Sequence, residues 1–186
     1  MFRGFGVGYS KSMALAGYKY LRSYQLTVII YDLTVEFCKR WVKSPRTKEQ
    51  MEQAARSGKQ NITEGYLEKS LKSYIYLLGV AYASLGELLE DYEDFLRQRG
   101  LSLWSKDDVR VREFRGLRVF RDPPKSPNTP ILPDDPEKAA NLLLTLIHQA
   151  QFLLSRQMES LEDKFIKEGG YTENLFKRRM EEKRKK

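Results

Sequence analysis

The sequence predicts an all-α protein: an antiparallel up-down four-helix bundle with a long proline-rich loop between helices 3 and 4 and a basic C-terminal tail. Apolar residues recur every three or four positions along four long stretches, which is the period of a helix with one buried face. Six of the seven prolines lie in residues 122–136, where a continuous helix is therefore interrupted. The 186 residues are enough for one domain with a continuous core.

The chain is predicted to have three parts. Residues 1–18 form a flexible leader that is rich in glycine. Residues 19–168 form the bundle, with residues 101–133 inserted as a loop, and residues 169–186 form a basic C-terminal suffix.

The first helix shows a strict alternation of three and four residues between its apolar positions, which is typical of a bundle seam. These positions are Leu21, Tyr24, Val28, Tyr31, Val35, Cys38 and Val42. Pro45 then breaks the chain, and Thr47 followed by Gln50 predicts a capping box that opens the second helix. The second helix runs to about Tyr66.

The second helix contains the stretch "SGKQNITEGY", in which Gly58, Asn61 and Gly65 occupy seam positions where large apolar residues are expected. Glycine disfavours a helix, so its presence indicates a close approach between helix axes. Asn61 and Glu64 share one face, and Glu87 on the third helix is a plausible hydrogen-bonding counterpart. We interpret Asn61, Glu64, Gly65 and Glu87 as a structural polar lock that fixes helix register; a ligand or catalytic role is the alternative.

The third helix repeats the seam pattern and ends near Gly100. Its seam residues are Leu71, Tyr74, Leu78, Ala81, Leu85, Leu88, Tyr92 and Phe95. The loop that follows contains at most one short helical turn, near residues 105–115. A loop of this length in a compact domain is either functional or mobile.

The fourth helix is capped by Asp134 or Asp135 and stops before Gly169 and Gly170. It carries two apolar seams, whereas a helix in a monomeric bundle normally buries one stripe. One seam is Leu143, Leu146, Ala150 and Leu153, and the other is Leu144, Ile147, Leu154, Met158, Leu161 and Phe165. The second seam predicts a partner surface, most simply a second copy of the chain. The alternative is that the long loop folds over it.

The net charge of +8 is concentrated in two segments. Residues 110–125 and residues 171–186 each carry a net charge of +4, so the rest of the chain is neutral. Cationic segments gain free energy when they release counterions from a polyanion, which indicates nucleic acid as the partner. The predicted nucleic-acid-binding residues are Arg110, Arg112, Arg115, Arg118, Lys177, Arg178 and Arg179. The predicted base-stacking residues are Trp104, Phe114, Phe120 and Phe176.

We expect no enzymatic activity, no metal and no cofactor. His148 is the only histidine and has Thr145, not a glutamate, three residues before it, so the chain lacks the Glu-x-x-His pairs of a di-iron bundle. The single Cys38 excludes a zinc-finger pattern and an internal disulfide. We expect a cytoplasmic protein, because we find neither a signal peptide nor a membrane-spanning run of apolar residues.

The stretch "SGKQNITEGYLEKSLKSYIYLLGVAYASLGELLEDYEDFL" resembles a bacterial four-helix-bundle family. That family includes proteins encoded in 23S rRNA intervening sequences and the accessory variability proteins of diversity-generating retroelements. The long loop and the ending "GGYTENLFKRR" look like a subgroup with a four-helix-bundle suffix. The resemblance implies a ring-shaped pentamer, and association with nucleic acid and a reverse transcriptase.

These observations favour a non-enzymatic, oligomeric adaptor that associates with RNA or single-stranded DNA through its basic loop and tail. The alternative is a protein-protein interaction scaffold with no nucleic-acid role, in which the basic segments only maintain solubility or bind an acidic protein.

Overall fold

A computed structural model describes residues 17–120 and 128–185, so most of the predicted leader and part of the loop lie outside the described residues. Within these ranges every regular element is helical, which confirms the all-α prediction. A short 3-10 turn, Gly17–Tyr20, precedes the first α-helix. The α-helices are α1 (Arg22–Trp41), α2 (Pro45–Leu67), α3 (Leu71–Gln98), α4 (Val109–Arg115), α5 (Pro136–Glu168) and α6 (Tyr171–Arg184). No described helix is long and apolar enough to cross a membrane.

The four long helices enclose one apolar core. Helix α1 packs against α2 and α5, and α3 also packs against α2 and α5. On α3 the predicted seam is buried from Leu78 to Phe95. The seam predicted on α1 lies at the edge of the core: Tyr24 and Tyr31 are partly buried and pack against it, and Val28 and Val35 are partly buried. The fully buried row on α1 is Leu26, Ile29, Ile30, Leu33 and Phe37.

Two apolar rows run side by side on α1, which is why periodicity alone misplaces its core face. The row of leucines, isoleucines and Phe37 faces the centre, and the row of tyrosines and valines lies at its flank. Cys38 is a residue of the predicted seam that is fully buried. Its thiol contacts the sulfur of Met51 at 3.8 Å. Burial raises the pKa of Cys38 to about 12, so the thiol is protonated and packs as a small apolar group.

An aromatic cluster lies at one end of the core. The ring centroid of Phe37 lies 4.9 Å from that of Tyr92, 4.7 Å from that of Phe95 and 5.0 Å from that of Trp41, all in edge-to-face geometry. The hydroxyl of Tyr92 donates a hydrogen bond of 3.0 Å to Oγ1 of Thr34. The buried phenol is thereby satisfied, and its burial raises the pKa of Tyr92 well above the ordinary value.

The cap of α2 differs from the prediction. The helix begins at Pro45, and Oγ of Ser44 accepts a hydrogen bond from the amide of Thr47 at 3.2 Å. Pro45 starts the helix and does not interrupt it, because a proline at the first helical position lacks only an amide hydrogen that would have no helical partner anyway. The start of α5 follows the prediction, with Oδ1 of Asp135 accepting from the amide of Lys138 at 2.7 Å.

The cap position can be tested by two matched substitutions. We expect Ser44→Ala to lower the free energy of unfolding by about 1 kcal/mol, because the N-terminal amides of α2 lose their acceptor. Thr47→Ala removes a hydroxyl of the same type three residues later, and we expect a change within about 0.5 kcal/mol. Urea denaturation followed by circular dichroism measures both values. If Thr47→Ala lowers the free energy of unfolding more than Ser44→Ala does, the result would support the predicted capping box that begins at Thr47.

The close approach of α2 and α3, predicted from the small residues, is present in the structure. A Cβ atom added at Gly58 would lie 3.0 Å from Cδ2 of Leu85. One added at Gly65 would lie 2.7 Å from Cδ2 of Tyr74. Glycine at these two positions therefore sets how near the two helices lie.

The described part of the inserted segment packs against the first turns of α5. The backbone amide of Trp104 donates to Oδ1 of Asn141 at 2.9 Å, and its indole nitrogen donates to Oε1 of Glu137 at 2.8 Å. Among the described residues of this segment, the buried side chains are Val111, Phe114, Val119 and Leu132.

The second seam of α5 is therefore mostly covered within the chain. Leu144, Ile147 and Leu154 are buried, while Met158 and Leu161 are partly buried and pack against the core. This burial removes most of the unpartnered apolar face from which a partner surface was predicted. A single chain already supplies the partner for most of that face.

Candidate nucleic-acid interface

Helix α4 carries three of the predicted nucleic-acid-binding residues. The side chain of Asp108 caps it by accepting from the amide of Arg110 at 2.9 Å. Val111 and Phe114, three residues apart, are buried against the body and anchor one face of the helix. The exposed basic residues of α4 and the described residues just after it are Arg110, Arg112, Arg115 and Arg118.

Arg110 is committed to contacts within the chain. Its guanidinium donates to both carboxylate oxygens of Asp108, at 3.0 and 2.8 Å, and lies 3.5 Å from the ring centroid of Trp104. These hydrogen bonds from Arg110 hold the pKa of Asp108 at about 2, so the carboxylate stays ionised. Arg110 therefore differs from the other predicted cations, since its charge is already compensated.

Two of the four predicted base-stacking residues, Trp104 and Phe114, also make contacts within the chain. Trp104 stacks on Phe114 with ring centroids 6.1 Å apart and planes inclined by 18°. Phe114 itself is buried. Phe120 and Phe176 are exposed, so these two rings remain accessible for contacts with a ligand.

The predicted basic tail is helical over Tyr171–Arg184 and is joined to α5 by a defined turn. Gly169 has φ of +75°, a conformation that favours glycine, and Nδ2 of Asn174 donates to the carbonyl of Glu168 at 3.1 Å. The amide of Gly170 donates to the carboxylate of Glu173 at 3.0 Å. Helix α6 exposes Lys177, Arg178 and Arg179, all three predicted binding residues of this segment.

The two basic segments lie at separate places along α5. Gln149 donates to the carbonyl of Arg115 at 3.4 Å, which places α4 beside the first half of α5. Helix α5 ends at Glu168, which is about 28 Å further along its axis at the rise of an α-helix.

A cavity of about 500 Å³ lies between α4, α5 and the start of α1. Three cations line it, Arg22, Lys106 and Arg115, and its described lining residues include no carboxylate. Its planar lining groups are Trp104, Phe120, Phe152 and His148, and its other lining residues are Leu103, Val111, Asn141, Leu144, Thr145, Gln149 and Leu153. Sequence reasoning missed Arg22, Lys106, His148 and Phe152 as site residues, because three separate parts of the chain supply them and no spacing pattern links all four.

The predicted polar lock uses different partners. Nδ2 of Asn61 donates to the carbonyl and to Oγ of Ser57, at 2.9 and 3.1 Å, and the hydroxyls of Ser57 and Ser84 share a hydrogen bond of 2.8 Å. The structure therefore links α2 and α3 through two serines. Glu64 and Glu87, by contrast, are exposed, and neither hydrogen-bonds a described residue.

An acidic groove runs beside this serine pair. Glu49, Glu87 and Asp91 line it, together with Ser57 and Ser84. Burial, and then the nearby Asp94 and Glu87, raise the pKa of Asp91 above its ordinary value. Among the described residues no group of three or more His, Cys, Asp or Glu side chains is placed to hold a metal ion.

Comparison with known families finds a match in the segment that contains α1, α2 and α3. Residues 19–102 match the model of the 23S rRNA-intervening sequence protein. This segment is similar to that family. No curated protein and no solved structure matched the chain.

The segment that matches the 23S rRNA-intervening sequence protein ends just after α3. It contains the four residues of the predicted lock and none of the seven predicted nucleic-acid-binding residues. Both basic segments are thus additions to the part of the chain that the family model describes.

Proposed function

We propose that this protein is a non-enzymatic helical adaptor that associates with RNA or single-stranded DNA through α4, the residues that follow it, and α6. One observation carries the proposal. Six of the seven predicted binding residues form no ion pair with any described carboxylate; they are Arg112, Arg115, Arg118, Lys177, Arg178 and Arg179. Exposed, unpaired cations keep their full capacity to displace counterions from a phosphate backbone.

We further infer that the four long helices form an up-down bundle that supports these basic segments. Links of three residues, 42–44 and 68–70, join α1 to α2 and α2 to α3. Links this short favour antiparallel neighbours. The long connection from α3 to α5 leaves room for α4 on the outside of the bundle.

The proposal is tested by the salt dependence of RNA binding. We expect the variant Arg112→Gln/Arg118→Gln/Lys177→Gln/Arg178→Gln/Arg179→Gln to bind a single-stranded RNA more weakly. Each lost phosphate contact lowers the slope of log K against log salt by about 0.7, so five lost contacts lower it by about 3.5. Fluorescence anisotropy of a labelled oligonucleotide at several salt concentrations measures the slope.

A matched variant controls for the change in net charge. Lys39→Gln/Lys43→Gln/Arg46→Gln/Arg56→Gln/Lys72→Gln removes five exposed cations from the body of the protein. We expect its slope to stay close to that of the unchanged protein. Equal losses in both variants would show that only overall charge matters, and an unchanged slope in the first variant would contradict the proposed interface.

A protein-interaction scaffold is the alternative function, favoured by the exposed apolar side chains of Ile166 and Phe176 near the α5–α6 junction. A pull-down with and without nuclease separates the two functions. Partners that persist after nuclease treatment would support the scaffold, and loss of all partners would support the nucleic-acid adaptor. Self-association as a pentamer, help to a reverse transcriptase and a cytoplasmic location stay predictions.

A further inference from the structure

The cavity beside α4 has the charge distribution of an anion-binding site. Arg22, Lys106 and Arg115 reach it from the start of α1, from the segment before α4 and from the end of α4. Among the residues that the structure describes, no carboxylate forms an ion pair with any of the three and none lines the cavity. An anion that enters the cavity therefore meets three uncompensated positive charges.

The same cavity offers planar apolar surface at its rim. The side chain of Phe152 is 65% exposed and that of Phe120 is 39% exposed, although both line the cavity. The guanidinium of Arg22 lies 5.4 Å from the ring centroid of Phe120, so one cation and one ring are already adjacent. Leu144 and Val111, both buried, form apolar lining.

The polar groups of the cavity divide into two sets. Asn141 is saturated by the backbone of Trp104, Ser102 and Glu137, and Thr145 donates to the carbonyl of Asn141. The side chain of His148, in contrast, is exposed and lines the cavity. The imidazole can therefore hydrogen-bond the edge of a ligand without breaking a structural contact.

We infer that this cavity binds a nucleoside phosphate, with the phosphate held by Arg22, Lys106 and Arg115 and the base stacked on Phe152 or Phe120. A volume of about 500 Å³ lies within the range of small-molecule sites and suits one nucleotide. A fatty acid presents one charged end and no flat ring, whereas a nucleotide presents both a multiply charged group and a flat ring.

The ligand is either a free nucleotide or an unpaired nucleotide of an RNA strand. The inference goes beyond the proposed function, because a free nucleotide can fill the cavity whether or not the basic segments hold a strand. The five-residue variant used above leaves every cavity residue in place. If that variant keeps nucleotide binding, the failure of one proposal does not imply the failure of the other.

Isothermal titration calorimetry of the full chain with the four ribonucleoside 5′-monophosphates tests the inference. We expect at least one to bind about tenfold more tightly than both its nucleoside and ribose 5-phosphate, since each of these lacks one half of the interaction. We expect Phe152→Ala to weaken the binding of that nucleotide by about tenfold, and we expect the same of the separate variant Arg22→Gln/Lys106→Gln.

Two control variants match these changes outside the cavity. Tyr76→Ala removes a ring that is 70% exposed on α3, and Lys39→Gln/Arg46→Gln removes two exposed cations. We expect both to bind nucleotide as the unchanged protein does. The same variants titrated with a single-stranded RNA identify the source. If Phe152→Ala weakens RNA binding, the cavity holds a nucleotide within a strand. If it weakens only the binding of the free nucleotide, the cavity is a small-molecule site.

Three results would overturn the inference. One is the absence of binding for all four nucleotides at millimolar concentration. Another is unchanged nucleotide affinity in Phe152→Ala and in Arg22→Gln/Lys106→Gln. The third is that laurate, an apolar anion without a ring, binds in the cavity more tightly than any nucleotide.

Discussion

Replacing Phe37 by alanine is expected to lower the free energy of unfolding by about 3–5 kcal/mol. The side chain is fully buried on α1 and its ring lies edge-to-face against Trp41, Tyr92 and Phe95. Alanine leaves a cavity where α1 meets α3, and it removes three aromatic contacts at once. Guanidinium denaturation followed by far-ultraviolet circular dichroism measures the loss.

Phe152→Ala is the matched control, because it removes the same atoms from a side chain that is 65% exposed on α5. We expect its free energy of unfolding to change by no more than about 0.5 kcal/mol. Similar losses in the two variants would mean that the aromatic cluster is not the tightly packed part of the core. The control also establishes that the ligand-binding test with Phe152→Ala is made on a folded protein.

The second large effect is expected at Gly65. Gly65→Ala should lower the free energy of unfolding by about 1–2 kcal/mol, although alanine favours a helix by about 1 kcal/mol over glycine. The added Cβ would lie 2.7 Å from Cδ2 of Tyr74 and 3.2 Å from Cβ of Leu77. The Tyr74 ring is held from its other end, since its hydroxyl accepts a hydrogen bond of 2.6 Å from Gln157, so it cannot move aside freely.

Gly79→Ala provides the control on α3, because no atom lies within 4 Å of a Cβ added there. We expect this variant to be more stable by about 0.5–1 kcal/mol, the gain in helix propensity alone. Thermal unfolding of both variants under identical conditions measures the difference in sign. A stabilised Gly65→Ala would contradict the conclusion that small residues set the distance between α2 and α3.

The sequence predicted the helical class and the small-residue contact because both depend on local patterns. Periodicity places Leu78, Leu85 and Tyr92 on one face of α3 whatever that helix packs against. A glycine within a helix is costly unless a neighbour lies close, so Gly58 and Gly65 indicated a close approach between helix axes, and the structure shows that the neighbour is α3. The core face of α1 was misplaced because two apolar rows satisfied the same period.

The candidate site was harder to predict, because its parts come together only in space. The clusters of arginine and lysine were visible as charge runs, but the run does not distinguish Arg110, bound to Asp108 and Trp104, from Arg112. Glu64 and Glu87 were assigned to the lock by spacing, while the hydroxyls of Ser57 and Ser84 make the contact. Hydrogen bonds of this kind depend on distances of a few tenths of an ångström, which no spacing rule resolves.

The amino-acid sequence by itself determined the all-α class, the small residues between α2 and α3, and the concentration of positive charge in two segments. Those properties follow from residue type and periodicity along the chain. Only the tertiary structure decided that most of the second seam of α5 is buried within the chain, and that Arg22, Lys106 and Arg115 face one cavity. These residues are far apart in sequence, so their proximity depends on how the long helices pack. That packing is a balance of many small contact energies, which a local sequence pattern does not encode.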